Sequence, residues 1–189
     1  DNTPETVKPV SKSNGWWQER HNNILAMDKS QSQLVFIGDS ITQQWEEQEY
    51  GLSIWQQYFS ALNPVNLGFD SDKTQHALWR VQNGELDDMN PDYVVIMIGT
   101  NNAKDDAGED IAEGIEAIID EVLSRLPDTK IILHRVFPRG DADNPSRISI
   151  DLASSIVKDR ITDERVIFAD INAHFEDDNG DVPIDIMYD

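Results

Sequence analysis

Three polar residues stand where the chain could make them reactive. Ser40 ends the run Leu34-Val35-Phe36-Ile37-Gly38-Asp39-Ser40, in which four apolar residues read as a buried strand that Gly38 and Asp39 terminate. The polar stretch after it carries Ile41 and Trp45 at helical spacing, so a helix over residues 41–50 is expected. A serine at such a strand-to-helix turn sits among outward-pointing N–H groups, and the helix dipole there favours negative charge. Its own N–H can hold the oxyanion that its hydroxyl generates, which suits a nucleophile. Serine is also a common helix cap, and Gly-Asp-Ser alone does not separate the two roles. Ser71 lies in the loop after a short strand at Val65-Asn66-Leu67, and Asn101 lies just after the apolar run Tyr93-Val94-Val95-Ile96-Met97-Ile98.

The rest of the chain must position these groups. Strand-like runs recur at Lys130-Ile131-Ile132-Leu133-His134 and Val166-Ile167-Phe168-Ala169-Asp170-Ile171. Helical patterns alternate with them, at residues 16–27, 55–62, 74–83, 110–126 and 149–161. In the first, Trp17, Ile24, Leu25 and Met27 are expected to face the core. In the fourth, Ile111, Ile115, Ile118, Ile119, Val122 and Leu126 form a continuous stripe that Pro127 ends. Strand and helix alternate throughout, which predicts one α/β domain with a five-stranded parallel sheet and helices on both faces. In such sheets ligands bind beyond the carboxyl ends of the strands. Ser40, Ser71 and Asn101 all fall on that edge.

Composition narrows the function. The 189 residues hold 36 Asp and Glu against 15 Lys and Arg, a net charge of −21, which disfavours nucleic acid and anionic membrane surfaces. There is no cysteine, so neither disulfides nor thiolate chemistry is involved. No apolar run reaches membrane-spanning length. Residues 1–15 lack a hydrophobic period and read as an extended arm before a domain at 16–189. The acidity and a first residue that is Asp rather than Met predict a secreted or periplasmic protein. The acidic stretch 175–181 lacks the glycine and terminal glutamate of a calcium loop and reads as a turn with Asn179-Gly180 at its tip. His21, His76, His134 and His174 read first as structural histidines, and Trp16 or Trp17 could stack on a sugar face if exposed.

Ordered blocks in this chain resemble those of the SGNH, or GDSL, hydrolases, most closely the branch like platelet-activating-factor acetylhydrolase. They are Phe36-Ile37-Gly38-Asp39-Ser40, then Asn66-Leu67-Gly68 with Asp72, Thr74, Gln75, His76, Leu78, Trp79 and Arg80, then Asn83-Gly84-Glu85-Leu86, Ile98-Gly99-Thr100-Asn101-Asn102 and Pro138-Arg139-Gly140. The resemblance runs from Trp16 to Asp189. It implies a three-layer α/β/α, flavodoxin-like doubly wound sheet. It implies a serine esterase in which Ser40 attacks the ester carbonyl. The oxyanion would be held by the backbone N–H groups of Ser40 and Ser71 and by the Asn101 side-chain amide. Asp39 would fix the turn. No metal and no organic cofactor is implied. The expected substrate is a small-molecule or carbohydrate ester, most plausibly an acetyl ester, and relatives of this branch pair, so a homodimer is an expected assembly.

Two departures from the family pattern stand out. Asp70 and Ser71 replace the two glycines usual after the position of Phe69, so Ser71 must hold a glycine's backbone geometry. Asp189 matches the aspartate of the family's final Asp-x-x-His block, whose histidine would fall three positions later. The expectation is a longer protein in which that histidine is the base, held by Asp189, and in which a closing helix follows. The competing expectation is an esterase-like protein that binds an acylated sugar or polymer without turnover.

Overall fold

The computed structural model describes residues 2–187. Five strands, β1 (Leu34–Gly38), β2 (Val65–Gly68), β3 (Tyr93–Met97), β4 (Lys130–His134) and β5 (Val166–Ala169), pair in parallel in the order β2-β1-β3-β4-β5. The apolar runs of β1 and β3 suit central strands covered on both faces, whereas Ile167 of the edge strand β5 is exposed. The helices are α1 (Gly15–Ala26), α2 (Ser40–Gln43), α3 (Leu52–Tyr58), α4 (Thr74–Gln82), α5 (Gly108–Arg125) and α6 (Pro145–Arg160).

One face of the sheet, carrying Val35, Ile37, Val94, Ile96, Ile131 and Leu133, packs on the apolar sides of α4, α5 and α6. Every residue of the expected α5 stripe is buried. On the opposite face Leu34 and Phe36 pack under Trp55, Trp45 and Phe59 of the α2–α3 segment. β1 lies between β2 and β3, so the chain leaves it toward β2 on one side and β3 on the other. This is the crevice where the strand order reverses, and open α/β sheets bind their ligands there.

Several expectations need correction. In α1, Leu25 and Met27 are 42% and 48% exposed, and His21 takes the buried place beside Trp17 and Ile24. The expected helix over 41–50 is only α2 and a 3₁₀ turn, Gln44–Glu46. Gly51 then passes so close to Trp45 that a Cβ on it would lie 2.7 Å from the indole. In the segment 55–62, Tyr58 and Leu62 face solvent, while Trp55 is buried. α6 begins four residues earlier than its periodicity indicates, because Asn144 caps it through the N–H groups of Ser146 and Arg147 and Pro145 occupies the first turn. The 175–181 stretch is a turn: the Asp177 carboxylate accepts from the N–H groups of Asn179 and Asp181.

Candidate active site

Close approach of backbone to backbone creates the Ser40 turn. A Cβ on Gly38 would lie 2.1 Å from Thr42 Oγ1, and one on Gly68 would lie 2.3 Å from the Gln43 nitrogen. Glycines at the ends of β1 and β2 therefore let the first turn of α2 fold down onto the sheet. Asn66 stitches the same corner, donating from Nδ2 to the Thr42 carbonyl at 2.9 Å and accepting from the Gly68 N–H at 2.8 Å. Asp39 caps α2 by accepting the Ile41 N–H at 3.0 Å, in keeping with a structural role. Burial pushes its carboxyl up to about 7, with the neighbouring Asp72 charge adding to the rise.

Ser71 occupies the third position of a turn that the Asp72 N–H closes on the Phe69 carbonyl at 3.2 Å. Its φ is +60°, in the left-handed region. A side chain costs roughly 1–2 kcal/mol there, which explains why glycine is the easy choice and how serine keeps the same N–H direction. Asp70 is exposed, so its carboxylate is solvated and its field is weakened by solvent. Gln43 Oε1 accepts the Asp70 N–H at 2.6 Å, and Asn101 Nδ2 donates to the Asp72 carbonyl at 3.0 Å. Among the described residues, neither the Ser40 N–H nor the Ser71 N–H has an acceptor, and the second Asn101 Nδ2 hydrogen is available too. Two unpaired backbone donors and a side-chain amide thus stand around the crevice between β1, β2 and β3.

Ser40, Ile41, Thr100, Asn101, Phe137 and Met187 line one cleft of about 190 Å³ with Pro138 and Arg139. Arg139 donates to the Thr100 carbonyl at 3.2 Å and so ties the loop after β4 to the loop after β3. The other rim is the segment after β5. Arg147, almost fully buried, donates to the Gly140 and Gly180 carbonyls and to Glu176, which fastens residues 176–180 to the start of α6. Met187 brings the approach to the final block into the cleft. Asp189 itself lies outside the described residues.

Beneath the turn lies a buried network that the sequence showed only as unassigned motif residues. Arg80 is fully buried and donates to Asp72 at 2.8 Å, to Glu85 at 2.7 Å and to the Gly38 carbonyl at 3.4 Å. Its guanidinium lies 3.9 Å from the centre of the Phe69 ring. Trp17 Nε1 donates to Asp72 at 2.8 Å, and His21 Nδ1 pairs with Glu85 at 2.8 Å. Trp17 is therefore core and closed to a ligand, whereas Trp16 is 41% exposed.

The other histidines divide clearly. His76 Nδ1 accepts the Lys73 N–H at 2.9 Å, and burial lowers its pKa to about 4, so it caps α4. His134 stands at the end of β4 edge-on to Phe137, with burial lowering its pKa. His174 is exposed on a 3₁₀ turn after β5.

The GDSL-like lipase/acylhydrolase family model matches residues 36–189. The chain is 32% identical over 187 residues to platelet-activating factor acetylhydrolase IB subunit alpha2 of Rattus norvegicus, covering 98% of this chain and 80% of the relative. It is 35% identical over 188 residues to subunit alpha1 of Homo sapiens, covering 98% and 79%. Among solved structures, a GDSL-like lipase from Bacteroides thetaiotaomicron matches with a TM-score of 0.66 at 15% identity over 88% of each chain. The acetylxylan esterase Axe2 of Geobacillus stearothermophilus matches with a TM-score of 0.58 at 22% identity, over 77% of this chain and 78% of Axe2.

Proposed function

The chain belongs to the GDSL-like lipase/acylhydrolase family and is a carboxylic ester hydrolase, and from that premise we propose that it removes short acyl groups, acetyl foremost, through an acyl-serine intermediate on Ser40. What supports the reading is that the strand ends set at one edge of the sheet Ser40 and Ser71, whose N–H groups have no acceptor among the described residues, and Asn101, whose Nδ2 keeps one hydrogen beyond its bond to the Asp72 carbonyl. Donors fixed in advance stabilise the charge that develops on a carbonyl oxygen and need no reorganisation during reaction. Ser40 attacks the carbonyl carbon, its proton passes to the base, and the tetrahedral oxyanion sits among the three donors. Collapse expels the alcohol, which takes the proton, and water then releases the acid by the same path.

The base is the histidine of the last block, with Asp189 orienting its ring. The short acyl preference rests on the cleft: about 190 Å³ is less than the roughly 300–1,000 Å³ of sites that enclose drug-sized ligands. An alcohol portion of carbohydrate type is in line with what the acetylxylan esterase neighbour is named for.

The assay is made on protein that includes the histidine which the family resemblance places three positions beyond Asp189. Aryl acetate should be cleaved at least tenfold faster than aryl octanoate, and Ser40→Ala should lower kcat/KM by roughly 10³-fold or more with an unchanged far-UV spectrum. Near-full activity in that variant would sink the assignment to Ser40. Tight binding of an acetylated sugar with no turnover by the parent protein would instead establish the binding-only reading.

A further inference from the structure

We propose that the N-terminal arm is part of the catalytic apparatus: it delivers Lys12 as a positioning residue that holds the Phe69–Asp72 turn in its oxyanion-binding form. The proposal rests on the reading of Ser71 as an oxyanion donor.

The arm is seated, although its sequence has no hydrophobic period. Thr6 is fully buried, donating to the Asp110 carbonyl at 2.5 Å and accepting at its own carbonyl from Thr74 Oγ1 at 3.0 Å. The Val10 N–H reaches the Gln75 carbonyl at 3.2 Å. α5 makes room for this crossing at Gly114, where a Cβ would lie 2.5 Å from Thr74 Oγ1 and 2.9 Å from the Thr6 carbonyl oxygen. A glycine inside a helix is unfavourable by itself, and the passage of the arm accounts for this one.

The seated arm ends at Lys12. Its ammonium lies 3.1 Å from Asp72 Oδ1 and 3.4 Å from the Asp70 carbonyl oxygen, with the Lys12 side chain only 20% exposed. Those two acceptors flank Ser71. With Gln43 on the Asp70 N–H and Asn101 on the Asp72 carbonyl, the peptide groups on both sides of Ser71 are held. A non-glycine residue in the left-handed region persists when its surroundings over-determine it. Trp17 and Arg80 also hold the Asp72 carboxylate; Lys12 differs from them in coming from the arm and in reaching the Asp70 carbonyl as well. It also sets a positive charge beside Asp72, which Arg80 shares with Glu85.

Two readouts test this. Hydrogen exchange of the Asp70 and Asp72 amides is followed in the parent, Lys12→Met, Lys12→Arg and Gly114→Ala proteins, and acetyl-ester kinetics are measured on the same variants. Methionine keeps the aliphatic stem of Lys12 and removes only the ammonium. Arginine can still donate to both acceptors. Gly114→Ala displaces the arm at its anchor without touching Lys12.

Lys12→Met and Gly114→Ala should speed exchange at both amides roughly tenfold, with core-strand amides unchanged. They should lower kcat by about tenfold to 10²-fold, the scale expected when a catalytic group is misplaced by about 1 Å, with KM little altered. Lys12→Arg should restore both readouts. Adding Ser71→Gly to Lys12→Met should recover most of kcat, because glycine adopts the conformation without a clamp. Unchanged exchange at Asp70 and Asp72 in Lys12→Met overturns the proposal whatever the kinetics show. Faster exchange in a family of proteins of which even the parent cleaves no ester would uphold the clamp and refute the esterase reading of Ser71.

Discussion

Replacing Asp39 by Asn should stabilise the protein, and by more the higher the pH. Asp39 is 1% exposed, and burial raises its pKa from the ordinary 3.8 to about 7. Below pH 4 the carboxyl is protonated in both the folded and the unfolded chain, so its titration costs nothing. Between pH 4 and 7 the unfolded chain releases the proton and the folded chain keeps it. The folded state then binds one proton more than the unfolded, and stability falls by about 1.4 kcal/mol per pH unit. Above pH 7 the full penalty, about 4 kcal/mol, is in place. Asparagine keeps an oxygen for the Ile41 N–H and carries no charge, so the variant lacks this slope. Its advantage over the parent should grow by about 2–3 kcal/mol from pH 5 to pH 8. With a urea m-value of about 2 kcal/mol/M, the gap between the two midpoints should widen by about 1 M or more. The check is urea unfolding of both proteins at pH 5, 6, 7 and 8, with the m-values compared for two-state behaviour. A midpoint difference that stays flat across that range would refute a buried, proton-retaining Asp39.

Arg80→Met should destabilise the fold by about 3–5 kcal/mol, the usual consequence of removing one partner from a buried ion pair, here the guanidinium shared by Asp72 and Glu85. Thermal and urea unfolding at pH 7 measure it, and a loss below about 1 kcal/mol would show that the network does not depend on its guanidinium. Asn101→Ala should lower kcat on an acetyl ester by roughly 10²–10³-fold, as removal of one oxyanion donor does. It should also loosen the Asp72 carbonyl, so its KM is to be compared with that of Asn101→Asp, which keeps the size of the side chain and loses the donor.

The sheet was legible because most of its strands carry short runs of adjacent apolar residues, rich in Val and Ile. α5 was legible because its apolar stripe holds one period over five turns. That Ser40, Ser71 and Asn101 share one edge of the sheet follows from strand ends, since β1, β2 and β3 are neighbours; the roles proposed for them come from the family resemblance. α1 was misread for a physical reason. Its buried face is set by Trp17 and His21, whose partners Asp72 and Glu85 lie 55 and 64 residues away, and no local pattern announces a buried polar pair. The segment 41–50 failed as a helix because Gly51 turns the chain against Trp45, a close approach that periodicity does not record. The docking of the arm could not be read from the sequence, because it is made through Thr6, backbone carbonyls and Lys12, none of which contributes to a hydrophobic period.

The long-range polar contacts bear on how the site is held. In a chain with 36 acidic and 15 basic residues, several of the scarce cations are placed at or under the carboxyl edge of the sheet. Arg80 and Lys12 meet Asp72 below the Ser71 turn. Arg20 donates to the Gly68 and Asn66 carbonyls, which occupies the free edge of β2 just before that turn. Arg147 ties residues 176–180 to α6 on the opposite rim. Each of these cations joins an acidic side chain or a carbonyl distant in sequence to a segment that follows the carboxyl end of a strand. Buried or half-buried pairs of this kind are screened little by salt and lose little on ordering, since both partners are already fixed by packing. The loops are thereby held without a larger apolar core at the edge where polar donors must stay free. The arrangement accounts for serine being tolerated where glycine is the easy residue: at this edge, geometry is imposed by charge from several directions and not by local backbone preference.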